Sequence, residues 1–133
     1  RCLTIFRVFT GMMSPQNWDD LAECAKWAHK NADVLAATHW IGGDPGNGEV
    51  YGWASWSPRK GILALRNPST QTNSLSVDIG QAFELPPKAP RRYALKSPWK
   101  EDAAGAPVVV QAGLAHTFDL TPFAVLVFEA LPK

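Results

Sequence analysis

The sequence predicts a mainly β fold: an antiparallel β-sandwich of about seven or eight strands, preceded by one strand and one amphipathic α-helix. Three observations carry that expectation. Beyond residue 49, short segments rich in β-branched and aromatic residues alternate with turn residues, and no helical pattern falls among them. Residues 15–33 repeat apolar side chains at steps of three and four. The chain of 133 residues is long enough for one core and too short for two well-packed ones.

Leu3-Thr4-Ile5-Phe6-Arg7-Val8-Phe9 reads as a mostly buried strand that Gly11 ends. Ser14-Pro15 opens the helix, because Ser caps free N–H groups and Pro lacks an N–H that would go unpaired there. Trp18, Leu21, Ala22, Ala25, Ala28, Ala32 and Leu35 form one apolar face, expected to be buried, with Trp27 on or beside it. Asp19, Asp20 and Glu23 precede Lys26, His29 and Lys30, the charge order a helix dipole favours. Ile41-Gly42-Gly43-Asp44-Pro45-Gly46-Asn47-Gly48 reads as a loop by composition. Strands are expected at 50–55, 61–66, 74–79, 92–95, 108–111, 116–120 and 123–129, punctuated by Asn67-Pro68, Pro86-Pro87, Ser97-Pro98 and Thr121-Pro122. The last of these is apolar almost throughout, as a central strand covered on both faces would be.

Composition excludes several classes of function. Thirteen basic and twelve acidic residues leave a net charge of +1, so neither nucleic acid nor an anionic membrane is an expected partner. Arg91-Arg92 with Lys88 and Lys96 is the one local basic cluster, and it reads as a solvated patch. No apolar run approaches the roughly 20 residues of a membrane-spanning helix. His29, His39 and His116 are scattered without ligand spacing, and no nucleophile-elbow or phosphate-loop motif occurs. No metal, nucleotide or other cofactor is expected. Cys2 and Cys24 are too few for a disulfide framework and are expected to be buried free thiols.

A resemblance runs through most of the chain in order. Met12-Met13-Ser14-Pro15 before a helix, Ala32-Asp33-Val34-Leu35 at its end, Ile41-Gly42-Gly43-Asp44-Pro45, Tyr51-Gly52-Trp53-Ala54, and Gly61-Ile62-Leu63-Ala64-Leu65-Arg66-Asn67-Pro68 carry it, with Thr121-Pro122-Phe123 through Glu129 at the close. The set resembles the C-terminal region of α-galactosidase-like glycoside hydrolases, more narrowly the bacterial enterotoxin-like, secreted glycosyl hydrolase group. The resemblance implies that residues 1–40 are the last strand and helix of a truncated (β/α)8 barrel, 41–49 a linker loop and 50–133 a C-terminal β-sandwich domain. It also implies a secreted or periplasmic parent enzyme.

Its catalytic carboxylates would lie upstream. A retaining glycosidase needs two carboxyl groups flanking the scissile bond, and a barrel needs about 250 residues. The chain is therefore expected to be a fragment without catalytic residues, a non-catalytic accessory domain. Its expected partners are the missing barrel, or a second copy joined through the first strand and helix, and carbohydrate by way of the parent enzyme. Met12 and Met13 follow the last barrel strand and would line the parent's active site. The alternative is a carbohydrate-binding module with Trp40, Trp56 or Trp99 as platform, since Trp rings stack on sugar C–H faces. Asp44 shares a Gly-rich loop with Glu49, although an Asp before Pro is chiefly a turn former. Trp53 and Trp56 should face opposite sides of their strand, leaving one in the core. A third reading is a stand-alone sandwich for adhesion or protein contacts.

Overall fold

The computed structural model describes residues 10–99 and 105–133. The chain divides into two compact units, Arg1–Ala32 and Asp33–Lys133. The strand expected at residues 3–9, and Cys2 with it, lies outside the described residues.

In the first unit a 3-10 turn at Thr10–Met12 leads to helix α1 (Pro15–Lys30). Ser14 caps it reciprocally: its Oγ accepts from the Asn17 N–H at 3.2 Å, and Asn17 Oδ1 accepts from the Ser14 N–H at 3.0 Å. The helix stops earlier than the periodicity suggests. The Asn31 side chain donates to the Trp27 carbonyl at 2.8 Å, competing with the main chain for that acceptor, and a separate short helix α2 (Ala32–Leu35) follows. No residue of α1 is buried, contrary to the expected packed stripe; Trp18 keeps 41% of its surface exposed. Cys24 is likewise exposed and free, not buried. Among the described residues of its unit, no second layer closes over the apolar face of the helix.

The second unit is the sandwich. Its strands are β1 (His39–Gly42), β2 (Tyr51–Ser57), β3 (Lys60–Arg66), β4 (Asn73–Val77), β5 (Arg92–Lys96), β6 (Val108–Gln111), β7 (His116–Leu120) and β8 (Val125–Pro132). One sheet has six strands in the order β1-β2-β3-β8-β5-β6, the other pairs β4 with β7, and every pairing is antiparallel. Alternation along the strands fills the space between the sheets. Leu63, Leu65, Tyr93, Leu95 and Ala130 of the large sheet join Val77, Phe118 and Leu120 of the small one in a single buried cluster. Burying each large side chain of this set contributes about 1.5–3 kcal/mol.

Seven strands fall where the sequence places them, within a few residues at their ends. Two elements do not. Residues 39–42, expected in the leading segment and loop, form β1, the edge strand of the large sheet. Ile79, expected at the end of a strand, instead opens a helical turn, α3 (Ile79–Ala82), because Asp78 Oδ1 accepts from the N–H groups of Gly80 and Gly113, each at 2.8 Å. Strand β8 is central, between β3 and β5, yet it is not covered on both faces: Val125 and Leu131 are 59% and 48% exposed.

Candidate functional site: an aromatic corner at a free sheet edge

Among the described residues strand β1 pairs only with β2, leaving its other edge open. Gly43 N–H donates to the Val50 carbonyl at 2.9 Å, and continuing that register makes His39/Ala54 and Ile41/Gly52 the hydrogen-bonded pairs. The N–H and C=O groups of Trp40 and Gly42 therefore point away from β2, over the free edge. Gly42 ends the strand with φ of +88°, and a Cβ there would meet the Val50 carbonyl oxygen at 2.7 Å.

The same register puts Trp40 opposite Trp53, with Tyr51 on the same face two residues before Trp53. Trp40 stacks on Tyr51 with ring centroids 4.7 Å apart and planes 7° from parallel. Trp53 stands nearly perpendicular to both rings, 5.7 Å from Trp40 and 5.4 Å from Tyr51. Those three separations form a compact triangle, so Trp53 flanks the stack and does not cap it. Tyr51 takes one face of Trp40, and neither ring of the trio covers the other. Trp40 and Trp53 remain 47% and 41% exposed, while Tyr51 is buried.

A groove of about 380 Å³ runs from this corner between the edges of the two sheets, lined by His39, Trp40, Ser76, Asp78, Gln81 and Glu84 among others. A second hollow of about 520 Å³ shares Leu75 with it and is lined by Asn73, Asn47 and Glu49 among others. Carboxylates and amides thus line its walls, and among the described residues no lysine or arginine does. His39 Nε2 lies 2.7 Å from the Ala82 carbonyl, which can only accept, so Nε2 carries the hydrogen. Glu84 adopts φ of +48°, an uncommon conformation for a residue with a Cβ.

The residues singled out in the sequence are scattered. Trp40 sits at the corner. Trp56 faces inward, packing against the core and donating from Nε1 to the Tyr93 hydroxyl at 3.0 Å, whereas Trp53 faces outward, as the strand period requires. Half-buried Trp99 lies beyond β5. Asp44 serves its own turn: its Oδ1 accepts from Gly46 N–H at 2.8 Å, and its N–H donates to Glu49 Oε2 at 2.7 Å. Met12 and Met13 belong to the first unit, with Met12 84% exposed. Reading the sequence missed Tyr51 and Trp53 as partners of Trp40. Tyr51-Gly52-Trp53 at alternate positions was the available signal, but only the β1 pairing brings Trp40 to them.

Other carboxylates are also in structural use. Asp33 makes an ion pair with Arg59 at 2.7 Å, and hydrogen bonding from that guanidinium, more than its charge, holds the Asp33 carboxyl below the usual range. Glu129 pairs with the buried Lys60 at 2.8 Å. Among the described residues no cluster of three His, Cys, Asp or Glu side chains is arranged to hold a metal ion, and no helix is long and apolar enough to cross a membrane.

Comparison with known proteins adds no relative. The chain matches no family model, and searches of curated proteins and of solved structures find no match.

Proposed function

We propose that this chain is a non-catalytic accessory β-domain of a secreted glycoside hydrolase resembling α-galactosidases, and that it supports a catalytic barrel through the outward face of its large sheet. The observation that carries this reading is the character of that face. An antiparallel sheet with one solvated side ordinarily alternates apolar-in with polar-out. Here the outward row across β1, β2, β3 and β8 is Trp40, Trp53, Ala64 and Val127, and Ala94, Leu131 and Val109 extend it over β8, β5 and β6. Residues 33–38 close one end, where the Thr38 hydroxyl meets Ser55 Oγ at 2.7 Å, but Val109, Val125 and Leu131 stay 40–59% exposed. This apolar band, flanked on the same face by Arg66 and interrupted by Lys60, Glu129 and Lys96, fits burial against another domain.

Non-catalysis is supported by how several acidic groups are engaged: Asp33 and Glu129 in ion pairs, and Asp44 in its own turn. Purified chain incubated with aryl α-galactosides should release no aryl alcohol above the uncatalysed rate. Steady turnover that survives repurification would overturn the reading.

A second reading, as a carbohydrate-binding module, is favoured by one observation. Two tryptophans, Trp40 and Trp53, are exposed on one surface beside a polar groove.

A further inference from the structure

We infer that the groove along the β1 edge binds an uncharged oligosaccharide, with one pyranose ring stacked on the open face of Trp40 and its hydroxyls bonded by Asp78, Gln81 and Glu84. This deepens the carbohydrate-binding reading and rests on it; because Trp40 also begins the outward row, it requires that a domain docked on that face leave the β1 edge uncovered.

The argument starts from the ring. A flat aromatic surface contributes most when its orientation is set before the ligand arrives, because no rotamer freedom is then lost on binding. Trp40 meets that condition: stacking on Tyr51 at 4.7 Å and 7° fixes its plane, and Trp53 braces the stack from the side. The uncovered face suits the C–H surface of a pyranose, which is apolar and carries slight positive charge toward the negative face of the indole. A sugar also presents a rim of hydroxyls that must find partners. The groove beside Trp40 offers the Glu84 carboxylate, the Gln81 amide and the Asp78 carboxylate, whose Oδ1 already accepts from Gly80 and Gly113, and the adjoining hollow adds Glu49 and Asn73, each with one polar atom already bonded. Carboxylates accept from neutral hydroxyls in strong, charge-assisted bonds.

Charge then narrows the ligand. With three carboxylates and no lysine or arginine among the lining residues, the groove repels uronic acids and sulfated sugars and admits neutral ones. The two hollows, about 380 and 520 Å³, each lie in the size range of small-ligand clefts and share Leu75 as a lining residue. The rival occupant is an extended peptide added to the free edge. It would find only the main-chain groups of Trp40 and Gly42 to pair with, because β1 is four residues long, which is little for strand addition.

Isothermal titration of the full chain with neutral hexasaccharides of β-1,4-linked glucose and of β-1,4-linked mannose, with galactosylated mannan oligosaccharides, and with hexagalacturonate tests this directly. At least one neutral probe should bind with saturation, and hexagalacturonate should not. Trp40→Ala should weaken that binding by about tenfold or more, the scale of a lost aromatic contact together with its buried area. Trp40→Phe should recover part of the loss, and Gln81→Ala, at an exposed position of the α3 turn, should weaken binding with the fold intact by circular dichroism. Three results would overturn the inference: no neutral probe binds, binding persists undiminished in Trp40→Ala and Gln81→Ala, or a strand-forming peptide binds in this groove and the sugars do not. Failure here leaves the accessory-domain reading standing, whereas glycosidase turnover by the chain sinks that reading and leaves this site untouched.

Discussion

Asn67 has no exposed surface and joins three segments. Its Nδ2 donates toward the carbonyls of Gln71, Leu120 and Thr121 at 2.7–3.0 Å, its Oδ1 accepts from Ser69 N–H at 3.0 Å, and its main-chain N–H reaches Ala124. It thereby ties the end of β3 to the approach of β4 and to the β7–β8 turn. Asn67→Ala would leave those buried carbonyls short of a donor, and we expect a loss of about 2–3 kcal/mol in urea unfolding. Asn67→Asp should be worse near neutral pH, since a carboxylate would face carbonyl oxygens. The Asp33–Arg59 pair behaves differently because its side chains are 57% and 47% exposed. A carboxyl whose pKa is lowered by folding stabilises above its unfolded pKa, and the contribution fades as pH falls through the folded value. Asp33→Asn should therefore leave the melting temperature nearly unchanged in about 0.15 M salt. Any deficit seen at low salt should vanish below the ordinary carboxylate range. A deficit that persists there would show that Asp33 acts through something other than its charge.

Turns and short strands decided more of the architecture than the long helix did. Thr121-Pro122-Phe123-Ala124 closes with Ala124 N–H on the Thr121 carbonyl at 3.1 Å, and Phe123 holds φ of +58°. Pro second and a left-handed residue third describe a type II turn, whose third position favours Gly. A phenylalanine there is strained, and this one is 60% exposed, so packing does not account for it. Phe123→Gly should raise stability by roughly 0.5–1 kcal/mol, read from chemical denaturation. A loss would mean that the ring packs usefully after all. Strand β1 was not legible: four residues ending in Gly42 carry too little alternation to separate a strand from the loop they lead into. The α3 turn was hidden for a similar reason, since Asp78 caps it partly by bonding Gly113, 35 residues away. Strand β7 was legible because Phe118 and Leu120 alternate with the outward Thr117 and Asp119, and β3 was legible as an apolar run, buried from Lys60 to Leu63, and not by alternation.

At the scale of the molecule, the outward sheet face makes the strongest demand. If it is a docking surface, the isolated chain should self-associate or bind a hydrophobic dye. Val127→Lys with Leu131→Lys should abolish both while leaving the unfolding midpoint within a few degrees, because neither position belongs to the core cluster. A monomeric, dye-silent wild type would remove the main support for docking. The sandwich class, the capped helix start and the inward residues of the long strands were determined by sequence alone, because period and capping chemistry act within a few residues of chain. Which rings meet was decided only by tertiary structure. Trp40 finds Tyr51 through the register of β1 on β2, and the groove exists because two sheet edges distant in sequence run side by side. Contacts of that kind depend on strand pairing across the fold, which leaves no periodic mark on either segment by itself.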